Sequence, residues 1–317
     1  MKKILIFGAG EYGQRVAQYL LRTKDELIGF TDNNVRIHGK RIRISDGENT
    51  DKSFLVYAPE ELDKLSVDII IISNNQRDQI NAIKQQLKEL NHKDTIQIEV
   101  LKDNKELYKN VFTYSTPYDE YKDKRISFMR DLALYLQEEN VQGNVAECGV
   151  WLGDFSYFIN KYFPEKTLYL FDTFEGFDER DLEVEHSIGD VRFENGYFVQ
   201  SDSQFRPTSD SIEIIKGKLP HVEKSVFKKG YFPESANGVN DTFCFVNLDM
   251  DLYQPMYAGL KFFYDKMAVQ GVLLLHDYFH KDLPGVKKAV EDYENKRGQK
   301  LVKVPIGDGC SIAIIKV

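Results

Sequence analysis

The sequence predicts an α/β protein built from two doubly wound, Rossmann-like domains. Short, continuous apolar runs alternate with segments of helical periodicity, a pattern typical of parallel sheets that are covered on both faces. This alternation occurs twice, on either side of a polar and aromatic stretch without a clear period. Each half also contains a glycine-rich turn between an apolar run and a helical segment. We therefore expect a small domain over residues 1–101, a linker over 102–122 and a second domain over 123–317.

The first half is predicted to alternate strands and helices. Its elements are the strands Lys3–Phe7, Glu26–Thr31 and Ser66–Ser73, the helix Tyr12–Leu21 and an amphipathic helix that ends at about Leu90. The strands are apolar throughout, as expected of strands that are buried on both faces. The first half therefore predicts a small parallel sheet with helices on both sides.

The turn after the first strand fits a nucleotide-binding fingerprint. Gly8, Gly10 and Gly13 have the required spacing and lie between a strand and a helix. In this fingerprint the glycines permit a tight turn, the approach of a phosphate to the backbone and close packing of helix on strand. Asp32 ends the second strand, where an acid can bind ribose hydroxyls. The alternative is that the glycines serve only the turn.

The same region resembles a known domain. Residues Met1–Leu90 resemble the N-terminal domain of sugar O-/N-acyltransferases of the sialic-acid and bacillosamine type. In that domain a similar loop contacts a nucleotide sugar, so the resemblance implies a nucleotide or nucleotide-sugar site here. This half offers no candidate for hydride transfer and no room for a separate substrate domain. A nicotinamide-dependent oxidoreductase is therefore the least favoured alternative.

The second half repeats the alternation and ends differently. It is predicted to contain the helix Asp123–Glu139 and the strands Asn144–Val150, Thr167–Asp172, Ser225–Lys229, Thr242–Asp249 and Val272–His276. The last two apolar segments, Leu301–Val304 and Cys310–Lys316, flank a turn with proline and glycines, which predicts an antiparallel hairpin at the edge of the sheet. The stretch Glu179–Gln204 shows no helical period and is predicted to be either a lid or a disordered insert.

A second glycine loop follows the first strand of this half. Glu147 precedes Gly149, and Gly153 follows four residues later, a spacing that differs from the dinucleotide pattern. S-adenosylmethionine is a cation without phosphates, so its cradle needs backbone proximity and a nearby carboxylate. The next strand ends in Asp172, which can accept both ribose hydroxyls or can cap a helix. The loop therefore predicts an S-adenosylmethionine site, with Thr173 beside Asp172 as a further contact.

Acidic residues end two later strands. Asp249 and Asp251 follow one strand, and His276 and Asp277 follow the next, so they should meet in the crevice at the carboxyl edge of the sheet. Carboxylates there suit a hard cation such as magnesium, which would acidify a bound hydroxyl. Asp249 could bind the cation and accept the proton. His276 could also bind it, or act as a general base that titrates near neutral pH. The alternative is that the acids cap helices, and for Asp251 the two interpretations are equally favoured.

Five ordered motifs resemble the macrocin O-methyltransferase (TylF/MycF-like) family. They are Ala146–Val150, Leu170–Phe177, Lys229–Ser235, Asn247–Tyr253 and His276–Tyr278. The resemblance runs from about residue 121 to the end of the chain. It implies a class I methyltransferase fold, S-adenosylmethionine as donor, a divalent metal and hydroxyl acceptors that are often on sugars. Better-known members carry Asp-Asp-Tyr where this chain has His276-Asp277-Tyr278, which leaves open whether His276 joins Asp249 and Asp277 as a ligand and whether manganese replaces magnesium.

The composition sets limits on partners. The 317 residues include 42 basic and 50 acidic side chains, and this net charge of −8 argues against nucleic-acid or membrane binding. No apolar run approaches the roughly 20 residues that span a bilayer. Cys148, Cys244 and Cys310 lie far apart in apolar runs, which indicates buried thiols of a reducing compartment rather than a disulfide or zinc site. We therefore expect a cytoplasmic protein with a small-molecule or glycan acceptor, as a monomer or a homo-oligomer.

Together these patterns predict a metal-dependent O-methyltransferase that acts on a sugar or a sugar-bearing molecule. Asp249 and His276 are the predicted catalytic residues. The alternative is a protein that binds or senses nucleotide sugars and whose methyltransferase domain is catalytically silent.

Overall fold

The computed structural model describes residues 1–45, 51–90, 95–188 and 210–317. The chain forms two compact units, Met1–Pro117 (unit 1) and Tyr118–Val317 (unit 2). In the described part of the chain, none of the helices has the length and apolar character needed to cross a membrane.

Unit 1 contains a six-stranded sheet in the order β3-β4-β2-β1-β5-β6. The strands are β1 Lys3–Phe7, β2 Glu26–Thr31, β3 Arg41–Ser45, β4 Asp51–Tyr57, β5 Ile69–Ile72 and β6 Gln97–Val100. The helices described are α1 Glu11–Leu20, α2 Arg77–Glu89 and α3 Lys105–Thr113. All neighbouring strands are parallel except β3 and β4, which pair antiparallel.

Unit 1 has more strands than the sequence predicts. β3 was missed because charged residues alternate with its isoleucines, and β4 because its apolar run Phe54–Tyr57 is short and follows polar residues. β6 is short and half polar. The stretch assigned to a linker, residues 102–122, contains α3 of unit 1. The buried Val111 and Phe112 hold α3 in place, and the ring of Phe112 lies 5.4 Å from that of Tyr12.

Unit 2 contains a seven-stranded sheet in the order β12-β13-β11-β10-β7-β8-β9. The strands are β7 Asn144–Cys148, β8 Leu168–Asp172, β9 Ser225–Lys229, β10 Phe243–Leu248, β11 Met267–Leu275, β12 Val302–Pro305 and β13 Ile312–Ile315. The helices described are α4 Lys124–Glu138, α5 Asp154–Tyr162, α6 Glu179–Ile188, α7 Ser211–Lys218, α8 Tyr253–Phe263 and α9 Pro284–Arg297. β13 runs antiparallel to both β11 and β12, so the chain ends in the predicted hairpin.

Helices cover both faces of the second sheet. Apolar side chains of α8 and α9 pack on one face, and those of α4, α5 and α7 pack on the other. β10, at the centre of the sheet, is buried along its whole length. The α/β class and the doubly wound arrangement predicted from the sequence are confirmed. The prediction that Glu179–Gln204 has no helical period is wrong for its first part, which forms α6. Residues 189–204 lie outside the described residues.

The register of unit 2 brings four strand ends to one level. Cys148 of β7 pairs with Leu248 of β10 and with Phe171 of β8, and Leu248 pairs with Leu275 of β11. The ladder continues past the strands, because the amide of Asp249 donates to Cys148 at 2.9 Å and that of His276 donates to Leu248 at 3.0 Å. The residues that follow these strands therefore share the carboxyl edge of the sheet.

Candidate active site at the carboxyl edge of the second sheet

In the turns at this edge, four described residues other than glycine have left-handed backbone angles. Trp151, Phe174, Asp251 and Asp277 follow β7, β8, β10 and β11 in turn, with φ between 51° and 62°. In the described part of the chain, the other non-glycine residues with positive φ are Asn140 and Gln270. Such conformations cost about 1–3 kcal/mol each and cluster at functional sites. The concentration of these residues makes this edge the candidate functional edge of the sheet.

The glycines of the loop after β7 are required by packing. Gly149 has φ +83°, and a Cβ atom there would lie 1.9 Å from the carbonyl oxygen of Asp249. Gly153, at the start of α5, has φ +74°, and a Cβ would lie 2.9 Å from the side chain of Ile215. Other protein groups thus lie too close to both positions for any side chain, which explains why each position is a glycine. The contact of these glycines with a cofactor stays a prediction.

Asp172 ties two loops together. Its Oδ2 accepts hydrogen bonds from the amides of Val150 at 2.7 Å and Trp151 at 3.0 Å, and its Oδ1 accepts one from Phe174 at 2.7 Å. Burial raises the pKa of this carboxyl group, and the three amides partly oppose that rise. Thr173 is committed to its own turn, because its hydroxyl donates to the carbonyl of Gly176 at 2.5 Å. Asp172 is partly exposed, and its carboxyl group keeps acceptor capacity beyond these three hydrogen bonds.

Glu147 lies beneath the loop, enclosed by protein. The side chain is 1% exposed and accepts hydrogen bonds from the hydroxyl of Ser156 and, at 3.1 Å, from the amide of Asn247. Burial, assisted by the negative charge of Asp249, raises the pKa of Glu147 to about 8, although both hydrogen bonds lower it. Its hydrogen bonds connect the end of β7 with α5 and β10, which supports the glycine loop between them. A cofactor contact of Glu147 stays a prediction.

The predicted metal residues come together. Nδ1 of His276 lies 3.0 Å from Oδ1 of Asp249 and 2.9 Å from Oδ2 of Asp277. Carboxylate oxygens of Asp249, Asp251 and Asp277 also lie within 4.8 Å of one another. The geometry therefore adds Asp251, for which the sequence favoured a cap and a functional role equally. We call these three carboxylates the acid triad.

The electrostatics of His276 differ from the sequence-based expectation. Burial alone would lower the pKa of the imidazole, but the charge of Asp249 and the hydrogen bonds with Asp249 and Asp277 raise it well above its ordinary value. Burial would raise the pKa of Asp277, and the contact with His276 holds it well below its ordinary value instead. This upward shift of the pKa, found without a bound cation, differs from the titration near neutral pH that the sequence suggests. The predicted role of His276 as a cation ligand or a general base stays a prediction.

Sequence reasoning missed Arg125. This residue lies in the first turn of α4, is 7% exposed and donates to Oδ2 of Asp249 at 3.1 Å and to the hydroxyl of Tyr118 at 2.9 Å. Its guanidinium also lies 5.2 Å from the ring centres of Tyr118 and Phe155. Arg125 thereby fixes the orientation of Asp249. In the sequence it is indistinguishable from a surface charge, because Lys124 precedes it in a polar segment.

Sequence reasoning also missed Cys310. It was expected to be a buried thiol, yet it is partly exposed, and its Sγ lies 3.3 Å from Oδ1 of Asp277. Cys148 and Cys244 are buried as expected. No spacing rule could have identified Cys310, because its neighbours come from a different strand end.

The glycine loop of unit 1 has the predicted geometry within that unit. The amide of Ala9 donates to Oδ2 of Asp32 at 2.8 Å. A Cβ at Gly13 would lie 1.9 Å from the carbonyl oxygen of Gly8, which has φ +107°, so the helix and strand pack closely. A Cβ at Gly10 would meet no heavy atom within 4 Å among the described residues. Nucleotide binding at Gly8, Gly10, Gly13 and Asp32 stays a prediction.

Comparison with known proteins decides the family. A profile of the macrocin-O-methyltransferase (TylF) family matches residues 71–308. The chain belongs to the macrocin-O-methyltransferase family. The membership predicted from the five motifs is therefore confirmed. A second profile, described as C2185-like, N-terminal, matches residues 1–98.

Individual relatives of this TylF-family chain are distant. The demethyldecarbamoylnovobiocin O-methyltransferase of Streptomyces niveus is 24% identical over 183 residues, which are 55% of this chain and 66% of that relative. Among solved structures, the O-methyltransferase NovP has 21% identity and a TM-score of 0.52, over 61% of this chain and 80% of that chain. The calicheamicin methyltransferase CalS11 has 19% identity and a TM-score of 0.44, over 76% and 93%. The likeness to NovP shows the fold alone, which is the Rossmann-like methyltransferase fold predicted for unit 2.

Proposed function

We propose that this chain transfers the methyl group of S-adenosylmethionine to a hydroxyl of a sugar or a sugar-bearing molecule, with a divalent cation bound at the acid triad. The observation that carries the proposal is the convergence of Asp249, Asp251 and Asp277 beside the loop of Asp172, in a chain of the macrocin-O-methyltransferase family. The S. niveus relative is named as an O-methyltransferase of demethyldecarbamoylnovobiocin. That name supports the reaction class.

The residues fit both groups. Three carboxylates within 4.8 Å of one another form a hard, all-oxygen donor set of the kind that magnesium prefers. Asp172 is an acidic residue at the end of β8, where ribose hydroxyls are bound in sheets of this type. When bound, the donor would supply an electrophilic methyl group and the cation would acidify the acceptor hydroxyl.

The chain's own residues orient the reaction and receive its proton. Arg125 donates to Oδ2 of Asp249, and Oδ1 of the same carboxylate lies beside His276. Asp249 is therefore the favoured proton acceptor, because Arg125 orients its carboxylate within the acid triad. His276 contacts carboxylate oxygens of Asp249 and Asp277, which would also bind a cation, so it would take part as a neutral imidazole or move aside when the cation binds.

The proposal predicts acceptor-dependent and cation-dependent transfer. Purified protein is incubated with methyl-labelled donor, Mg²⁺ and a panel of nucleotide sugars and glycosides, with and without excess chelator. We expect label on at least one hydroxylated sugar, with loss of transfer in chelator. Asp249→Asn should lower turnover by about 100-fold or more, because several kcal/mol of transition-state stabilisation depend on the cation and its ligands.

The controls separate the cation from the fold. Asp265→Asn changes an exposed aspartate of unit 2 outside the site and should leave turnover unchanged. Asp249→Asn should bind the donor as tightly as wild type in calorimetry, since the carboxylate acts on the acceptor. Full activity in excess chelator would overturn the cation step. A wild-type protein that does not bind the donor would instead support a silent methyltransferase domain.

A second function, nucleotide-sugar binding by unit 1, is favoured by a specific observation. The geometry around Asp32 and the unobstructed backbone at Gly10 leave room for a phosphate at the start of α1. Under this proposal unit 1 binds a nucleotide sugar independently of methyl transfer. Substitution of Gly10 by valine, which fills this space, tests the function.

A further inference from the structure

Cys310 is held rigidly beside the acid triad. It lies in the turn between β12 and β13, where its amide donates to Oδ1 of Asp308 at 2.9 Å and its carbonyl accepts from Phe279 at 2.9 Å. Its Sγ lies 3.3 Å from Oδ1 of Asp277, and the thiol is also within hydrogen-bond reach of His276. The backbone on both sides of the thiol is therefore fixed, and the side chain is partly exposed.

These contacts create a second set of metal-ligating atoms. One atom each of His276, Asp277 and Cys310 lies within 4.8 Å of the others. The set combines a thiol, an imidazole and a carboxylate, which together suit Zn²⁺ and related ions much better than Mg²⁺. The acid triad contains oxygen atoms only. In the described part of the chain these are the two such groups, and they share Asp277.

We propose that His276, Asp277 and Cys310 form a binding site for a thiophilic divalent ion such as Zn²⁺. Three protein ligands leave the fourth position of a tetrahedral ion for water or another small ligand. On binding, the S–H bond of Cys310 breaks and a sulfur–metal bond forms, while His276 binds through a neutral ring nitrogen. The thiol proton and the proton of the imidazolium both pass to solvent. Because Asp277 belongs to both groups, a thiophilic ion at this site competes with a hard cation at the acid triad. This last consequence rests on the proposed function, whereas the site itself does not.

Cobalt provides a direct test of the site. Co²⁺ replaces Zn²⁺ in sites of this kind, and its bond to a thiolate gives a charge-transfer absorption in the near ultraviolet. We expect this absorption to saturate at one equivalent when Co²⁺ is added to the reduced, chelator-treated full chain, and to disappear when Zn²⁺ is added. The absorption should be absent from Cys310→Ser. Absence of the absorption from wild type, or its persistence in Cys310→Ser, would overturn the proposal.

Matched variants assign the signal to this site. Cys244→Ser changes a buried cysteine of β10 whose Sγ contacts the carbonyl of Gly143 at 3.5 Å, and it should keep the absorption. Asp251→Asn changes a ligand of the acid triad alone and should keep it as well. A signal that depends on Cys244 would place the bound ion elsewhere and would contradict the proposal.

Competition between ions tests the shared ligand. Calorimetry should show Zn²⁺ binding that is weakened at least about 10-fold by Cys310→Ser, because the soft ligand is lost. Excess Mg²⁺ should weaken the binding of Zn²⁺ to the wild type, and equal Zn²⁺ affinity with and without Mg²⁺ would overturn the competition. A cobalt–thiolate signal without methyl transfer to any acceptor would mean that the proposed function fails while the site stands. Mg²⁺-dependent methyl transfer without the signal would mean the reverse.

Discussion

The two units hold their glycine loops in the same way. In unit 1 the amide of Ala9, after β1, donates to Asp32 at the end of the adjacent β2 at 2.8 Å. In unit 2 the amide of Val150, after β7, donates to Asp172 at the end of the adjacent β8 at 2.7 Å. In each case one carboxylate binds the turn that precedes a helix. The shared arrangement explains why both loops look like cofactor sites in the sequence.

The two units differ in the strand on the other side of the glycine loop and in the residues that follow that strand. In unit 1 that strand is β5, and the residue after it is Ser73, whose hydroxyl donates to the carbonyl of Phe7 at 3.0 Å. In unit 2 it is β10, which is followed by Asp249, and the next strand leads into His276 and Asp277. A glycine loop with its aspartate therefore frames a ligand site in both units. The groups that could act on a hydroxyl occur beside only one of these loops in the described residues.

The first prediction tests whether the two equivalent aspartates, Asp32 in unit 1 and Asp172 in unit 2, serve different ligands. Asp172→Ala should weaken S-adenosylmethionine binding by about 1–3 kcal/mol, or roughly 5- to 150-fold, because charged hydrogen bonds to the ribose and the support of three amides are lost. Calorimetry measures this change. Asp32→Ala, the matching variant of unit 1, should leave donor affinity unchanged. Equal donor affinity in wild type and Asp172→Ala would contradict the placement of the ribose.

The second prediction concerns the buried carboxyl group beneath the loop of unit 2. The pKa of Glu147 is raised from 4.5 to about 8 in the folded protein, so this group binds more protons folded than unfolded. Its stabilising contribution is complete below about pH 4.5 and is lost as the pH rises to about 8. The amide oxygen Oδ1 of Asn247 is buried without a hydrogen-bond partner among the described residues. A protonated Glu147 can donate to that oxygen if the amide is turned over.

Glu147→Gln removes this titration and keeps the shape. The free energy of unfolding of the variant relative to wild type should increase with pH between about 4.5 and 8, by up to about 1.4 kcal/mol per pH unit, and should then level off. Trp151, the single tryptophan, lies in the loop above Glu147, so its fluorescence during urea unfolding reports on unit 2. Glu223→Gln, at an exposed glutamate, should show no such trend. A flat difference for Glu147→Gln would show that this carboxyl group ionises normally in the fold.

The sequence predicts the frame of the site better than its electrostatics. Apolar runs identify β7, β8, β10 and β11 because each is buried, and parallel strands must bring their ends together. Asp249, His276 and Asp277 therefore meet as predicted. The upward shift of the pKa of His276 could not be predicted, because it depends on two carboxylates within 3.0 Å of one nitrogen.

Residues that reach the site from elements outside the strand ends could not be identified from the sequence. Arg125 comes from α4 and Cys310 from the turn before β13, and neither belongs to a recognisable spacing with Asp249 or Asp277. In unit 1, β3 escaped prediction because charged residues alternate with its isoleucines. For Arg125 and Cys310 the missing information was a contact between segments far apart in the chain. For α3 and α6 the local pattern was too polar to reveal the helix.

The third prediction has the smallest effect on the fold and decides whether the loop of unit 1 is also a site. Gly10 has extended backbone angles, φ −74° and ψ −167°, which valine adopts without strain, and a Cβ would meet no described atom within 4 Å. Gly10→Val should therefore change the free energy of unfolding by no more than about 0.5 kcal/mol. The side chain would fill the space that a phosphate needs. Thermal shift and calorimetry against a panel of nucleotide sugars should show binding to wild type and none to Gly10→Val, with donor affinity unchanged.

Gly13→Ala is the matched variant for this comparison. Its Cβ would lie 1.9 Å from the carbonyl oxygen of Gly8, so we expect a loss of stability whether or not a ligand binds. If Gly10→Val loses the ligand and keeps its stability while Gly13→Ala loses stability, the two glycines serve different purposes, one for a phosphate and one for the contact of helix and strand. If wild type binds no nucleotide or nucleotide sugar in the panel, the glycines of unit 1 serve the turn alone. The arrangement that unit 1 shares with unit 2 would then be a way of building a turn, and it would carry no information about a ligand.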